Sequence, residues 1–188
     1  RNTNCYNSIE LLKEARYVIG TDSPQLTLQS IRDIIVELES SDEDYHPEGI
    51  IPQADDFGRV INIMEELMRG QELEALDISE QQHFTLRQSD YYMNAAIFLR
   101  LVQRGDGRYQ LTAEGRRIMG LDIHGRNLAL AREMLRPRFL RLAMKASIER
   151  SELISIPEMS DIMRQEGITL SDSTVARRAQ TARAWMKW

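Results

Sequence analysis

The chain has 188 residues, 42% of them hydrophobic, with a formal net charge of −5, enough to bury the core of one large domain or two small ones. Its longest apolar runs, such as Ala95-Ala96-Ile97-Phe98-Leu99, fall far short of the roughly 20 residues needed to cross a bilayer, so no membrane partner is expected. The lone Cys5 excludes a disulfide framework and a cysteine-based zinc site within one chain, and residues 1–8 are too polar for a signal peptide. A cytoplasmic protein is the expectation, and a start at Arg1 with a stop in mid-helix at Trp188 reads as a piece of something longer.

The net charge hides an asymmetry. From Arg1 to Thr85 there are 6 Lys and Arg against 18 Asp and Glu, whereas Leu86 to Trp188 carries 18 against 11. An acidic half of −12 therefore precedes a basic half of +7. Of the 24 basic residues 21 are arginines, whose planar fork matches phosphate oxygens and guanine edges, although a GC-rich genome produces the same bias.

In chain order, Ile9 to Ile19 has apolar residues at helical spacing and stops at Gly20, and Thr27 is placed to cap a helix from Leu28 to Leu38. Ser40 to Asp56, with its acidic cluster, Pro47, Gly49 and Pro52, reads as an exposed linker. A strongly amphipathic helix follows from Phe57 to Met68, and a shorter one lies within Leu73 to Phe84. Thr85 caps a long helix, Leu86 to Gln103, ended by Gly105, before a tight turn at Arg104 to Arg108, a strand at Tyr109 to Thr112 and a short helix to Met119. A second set begins with a helix from Asn127 to about Glu149, bent near Pro137; Pro157 opens the next, and Ser171 or Ser173 caps the last, Thr174 to Trp188.

This order predicts a mainly α fold: a small helical segment and acidic linker over 1–56, a winged-helix domain over 57–122 with a short β-hairpin wing, and a second helix-turn-helix or winged-helix-like unit over 123–188. In such units a helix buries one face and offers the other to the major groove, its first turns nearest the base edges. The helix after Thr85 has Tyr92, Ala95, Ala96 and Leu99 for its core side, with Arg87, Gln88, Ser89, Tyr91 and Asn94 opposite. The last helix has Val175, Ala179, Ala182 and Met186 for its core side, with Ser173, Thr174, Arg177, Arg178, Gln180, Thr181 and Arg183 outside. Arg pairs with guanine and Asn or Gln with adenine, while Arg104 and Arg108 at the wing tip suit phosphate.

Nothing supports an enzyme, a cofactor or a metal site. His46, His83 and His124 are far apart, no glycine-rich phosphate loop occurs, and the residues two before each lysine are Leu11, Ala143 and Trp185, so the Asp/Glu-x-Lys step of restriction-type nucleases is missing. Trp185 and Trp188 suit packing of a domain or subunit interface, and the aromatics are too scattered for a single-strand stacking platform.

The run Leu86-Arg87-Gln88-Ser89-Asp90-Tyr91-Tyr92-Met93-Asn94-Ala95-Ala96, with Tyr109-Gln110-Leu111-Thr112-Ala113-Glu114-Gly115-Arg116, resembles winged-helix domains of bacterial restriction-modification and related defence proteins, and Asp172 to Trp185 is similar to the second half of that tandem. The resemblance implies sequence-specific double-stranded DNA binding, as the target-recognition part of a type II restriction endonuclease or relative, working with a nuclease domain or subunit. It implies recognition-helix roles for Arg87, Gln88, Asn94, Thr174, Arg177, Arg178 and Thr181. A transcriptional regulator, with homodimerisation, and a protein-interaction scaffold built on winged helices remain open beside it.

Overall fold

The computed structural model describes residues 26–41, 51–70, 72–82 and 85–188. The helix expected from Ile9 to Ile19 and the acidic run Asp42 to Asp44 lie outside them. The described chain is mainly helical: α1 Leu28–Ser40, α2 Phe57–Gly70, α3 Ala75–Gln82, α4 Leu86–Phe98, β1 Val102–Gly105, β2 Arg108–Leu111, α5 Ala113–Met119, α6 Ile123–Leu135, α7 Arg138–Arg150, α8 Ile156–Gln165 and α9 Asp172–Trp185. No helix among the described residues is long and apolar enough to cross a membrane.

The caps explain most starts. Thr27, Thr85 and Ser155 each close a capping box, the side chain accepting from the third helical N–H while the residue there accepts back from the cap's own N–H. Thr112 and Asp122 cap α5 and α6 with the side chain alone. Pro137 does more than bend a helix: it stands as the N-cap of α7 and separates it from α6, because its ring cannot donate to the helical ladder.

Two stops were invisible as glycines. The helix expected to run to Gln103 ends at Phe98, because Arg100 adopts a left-handed conformation (φ 61°) and Leu101 N–H turns back to the Ala96 carbonyl at 3.0 Å. The same device ends α7 at Ser151, φ 55°, with Glu152 N–H on the Ser147 carbonyl. The residues freed beyond Arg100 become β1, which pairs antiparallel with β2 around Asp106-Gly107, both at positive φ as a two-residue hairpin turn requires. Leu73, between α2 and α3, exchanges both backbone hydrogen bonds with Tyr109 and extends the hairpin by one bridge on its other side.

One apolar cluster runs from Ile51 to Met186, taking in α2, α4, the hairpin and α9 together. Its keystone is Trp185, 1% exposed, which packs edge-on against Phe57 (5.3 Å) and Phe98 (6.1 Å) and donates its indole N–H to the Ala54 carbonyl at 2.6 Å. Ile51, Pro52 and Ala54 are buried accordingly, which corrects the reading of the whole 40–56 stretch as exposed linker; an apolar pair beside prolines was outweighed by the surrounding charges. A smaller cluster seats α1 on α6, where Ile34, Ile35 and Leu38 meet Ala131 and Leu135, with Glu37–Arg132 and Glu39–Lys145 ion pairs at its edge.

Gly115 marks the tightest approach in the fold. A Cβ there would lie 2.1 Å from the Leu101 carbonyl oxygen, so only glycine lets the first turn of α5 close against the end of α4 while Thr112 N–H bonds the same carbonyl.

Candidate functional site

Both expected core faces are where the spacing put them. Tyr92, Ala95, Ala96 and Leu99 of α4, and Val175, Ala179, Ala182 and Met186 of α9, are all buried. Because Phe98 and Trp185 touch near the carboxy-terminal ends of the two helices, α4 and α9 stand on one body, and their outward residues can be compared directly.

On α4, Thr85 is exposed but its hydroxyl caps the helix. Gln88 is exposed too, yet its side-chain oxygen accepts from the Thr85 N–H (2.9 Å) and hydroxyl (3.1 Å), which takes the acceptor that an adenine-reading amide needs. Arg87 donates through Nε to the Tyr91 hydroxyl at 2.7 Å and lies 5.5 Å from that ring, so the two act as a unit on the outer face. Asn94 is exposed one turn beyond Tyr91. Ser89 is a correction: it is fully buried, its hydroxyl bonded back to the Thr85 carbonyl at 3.4 Å, because position 89 falls three before Tyr92 on the core stripe.

On α9, Ser171 is the N-cap but makes no side-chain cap hydrogen bond; its hydroxyl sits 2.9 Å from that of Thr174 instead. The Thr174 and Val175 N–H groups both donate to the Ser171 carbonyl at 2.9 Å, which leaves those of Asp172 and Ser173 without a side-chain cap. Arg177 folds back over this turn, donating from Nε to the Ser173 carbonyl (3.2 Å) and lying 3.4 Å from the Thr174 hydroxyl. Gln180 is exposed one turn on. Thr181 is the second correction: it is 3% exposed and its hydroxyl bonds the Arg177 carbonyl at 3.4 Å, the fate of a small β-branched residue one step from the Ala182 core position. Arg183 is tied inward by a 2.8 Å bond from Nε to the Ile154 carbonyl.

Arg178 is different from all of these. Its Nε and one terminal nitrogen are buried with no hydrogen-bond partner among the described residues. Burial pulls its guanidinium below the usual arginine range, opposed by the neighbouring Tyr91 phenol and reinforced by the like charge of Arg177. Tyr91 on α4 and Arg178 on α9 are therefore electrostatic neighbours.

The hairpin follows α4 in the chain. Arg104 lies 5.3 Å from the Tyr109 ring, and Arg108 is shared between Glu72 (3.8 Å) and Glu74 (3.6 Å). Sequence reasoning missed these two carboxylates; the alternation Glu72-Leu73-Glu74 around the one bridging residue was the available signal. A cavity of about 680 Å³ is lined by Asp55, Asp56, Arg59, Gln88, Tyr92 and Trp188 among others. Among the described residues no group of three or more His, Cys, Asp or Glu converges as a metal site would.

No curated protein and no solved structure matches this chain. A family model described as a domain of unknown function, DUF7226, matches residues 59–188, from the first turn of α2 through the last residue of α9's flank. Since that match takes in most of the chain and the whole surface just described, the protein belongs to the DUF7226 family.

Proposed function

We propose that the chain binds double-stranded DNA, with α4 and α9 as paired reading helices on a tandem winged helix-turn-helix frame, and that it serves as the target-recognition part of a restriction or related defence enzyme. The observation that carries the reading is that α4 and α9, joined through Phe98 and Trp185, each turn donors outward near their amino ends: Arg87 and Tyr91 on α4, and Thr174, Arg177 and Gln180 on α9. The order α2, α3, α4, hairpin, with Leu73 bridging to Tyr109, supports the winged reading of the first unit, and α7, α8, α9 supply the three helices of the second.

Base-edge contact in this frame falls to Arg87, Asn94, Arg177 and Gln180. Arg104 faces phosphate from the hairpin, while Arg108 contributes less because Glu72 and Glu74 already share its charge. The test is selection from a random duplex library with the whole chain. An enriched motif that fades on Arg177→Ala supports sequence-specific recognition; recovery at background in low salt sinks it and turns the search to protein partners.

A further inference from the structure

Arginine is charged at every accessible pH, and proteins rarely bury a guanidinium nitrogen without an acceptor. Arg126 and Arg132 each bury an unpartnered Nε, but each keeps a carboxylate on another nitrogen, from Glu65 and Glu37 respectively. Arg178 has no such carboxylate among the described residues. The groups facing it are unsuited to neutralise it: Arg177 repels it, and the Tyr91 hydroxyl already accepts from Arg87. On the same helix the α9 first turn has no side-chain cap, and Arg177 folds back over that turn onto the Ser173 carbonyl.

We propose that Arg178 is the anchor of a phosphate clamp: its guanidinium swings out of its buried position to hold one backbone phosphate of the duplex beside the first turn of α9. This rests on the duplex-binding reading and divides its labour, Arg178 holding register while Arg177 reads bases. In the free protein the buried donors are unsatisfied, and the arriving phosphate oxygens supply what they lack, bidentate as the guanidinium fork prefers. Arg178 is thereby less stable unliganded than an apolar side chain of similar length would be, a local conflict of the kind that functional sites retain.

The experiment is a thermal melt of the whole chain and its Arg178→Met variant in chloride, in inorganic phosphate, and with a random-sequence duplex of about 20 base pairs, followed by a salt titration of duplex affinity. The clamp predicts that the variant melts higher than the parent in chloride, that phosphate raises the parent's Tm more than the variant's, and that the slope of log K against log salt falls by about 1 in the variant. Any motif enriched by the parent is enriched unchanged by the variant. A variant that melts no higher and gains as much from phosphate overturns the clamp. Equal duplex affinity and slope in both proteins overturns it while leaving duplex binding intact. A parent with an Arg178-dependent phosphate shift but no duplex binding keeps the anion site and removes the DNA reading.

Discussion

The first turns of α4 and α9 both follow a hydroxyl cap residue, Thr85 and Ser171, and end differently. Both start with a hydroxyl residue and offer a polar or charged face, but in α4 the chain satisfies itself: Thr85 and Gln88 close a capping box and Arg87 rests on Tyr91. In α9 the capping serine bonds Thr174 rather than the helix N–H groups, Asp172 is drawn away to Arg164 at 2.8 Å, and Arg178 finds no partner. A polar side chain satisfied within the fold is held for stability, whereas one left unsatisfied is available to a ligand. On the duplex-binding proposal, both helices reach the duplex, and the less satisfied first turn of α9 carries the larger share of the contact.

Breaking the joint between the helices is the most drastic way to test that division. Trp185→Ala removes the ring that ties α9 to Phe57 and Phe98 and orphans the Ala54 carbonyl, so it is expected to destabilise the protein by about 3–5 kcal/mol in urea unfolding. Gly115→Ala pushes a methyl group into the Leu101 carbonyl and should cost about 1–3 kcal/mol, measured in the same way, while leaving the outer residues of both helices in place.

The contrast in function is sharpened by paired substitutions. Arg177→Ala is expected to weaken duplex binding by about 1–3 kcal/mol, and Gln88→Ala to weaken binding by less while lowering stability by about 1 kcal/mol through loss of the capping box. Equal binding losses from the two would erase the distinction between the helices.

The smallest effect concerns pH. Glu158, at the start of α8, is held down to about 2 by the backbone N–H and hydroxyl of Ser155 and by Arg150. A carboxylate depressed in the folded state contributes stability that is complete above its ordinary value near 4.5 and is lost as pH falls towards 2. Glu158→Gln should therefore narrow the fall in Tm between pH 5 and pH 2.5, because the substituted amide does not titrate.

The helices and their buried faces were legible because period and capping residues agreed: Thr27 and Thr85 each announced a start, and every residue assigned to the core sides of α4 and α9 is buried, with Met93, Phe98 and Trp185 buried beside them. What escaped was decided between elements. Arg100 and Ser151 stop helices in a conformation their side chains do not advertise. Ser89 and Thr181 were placed outside because they are polar, although each lies beside the core stripe and satisfies its hydroxyl on its own helix. That Gln88 is used by a cap, Arg108 by two glutamates and Arg178 by nothing described could be known only once neighbours distant in sequence were in place.

The central claim is that α4 and α9 present one duplex-binding surface, and backbone amide NMR of the chain titrated with a duplex of about 20 base pairs tests it most directly. The account predicts shifts that move together at Arg87 to Asn94 and at Ser171 to Gln180, with the hairpin around Arg104 following and α1 unmoved. Shifts confined to α1 and the acidic face of α2, or none at low salt, would contradict it.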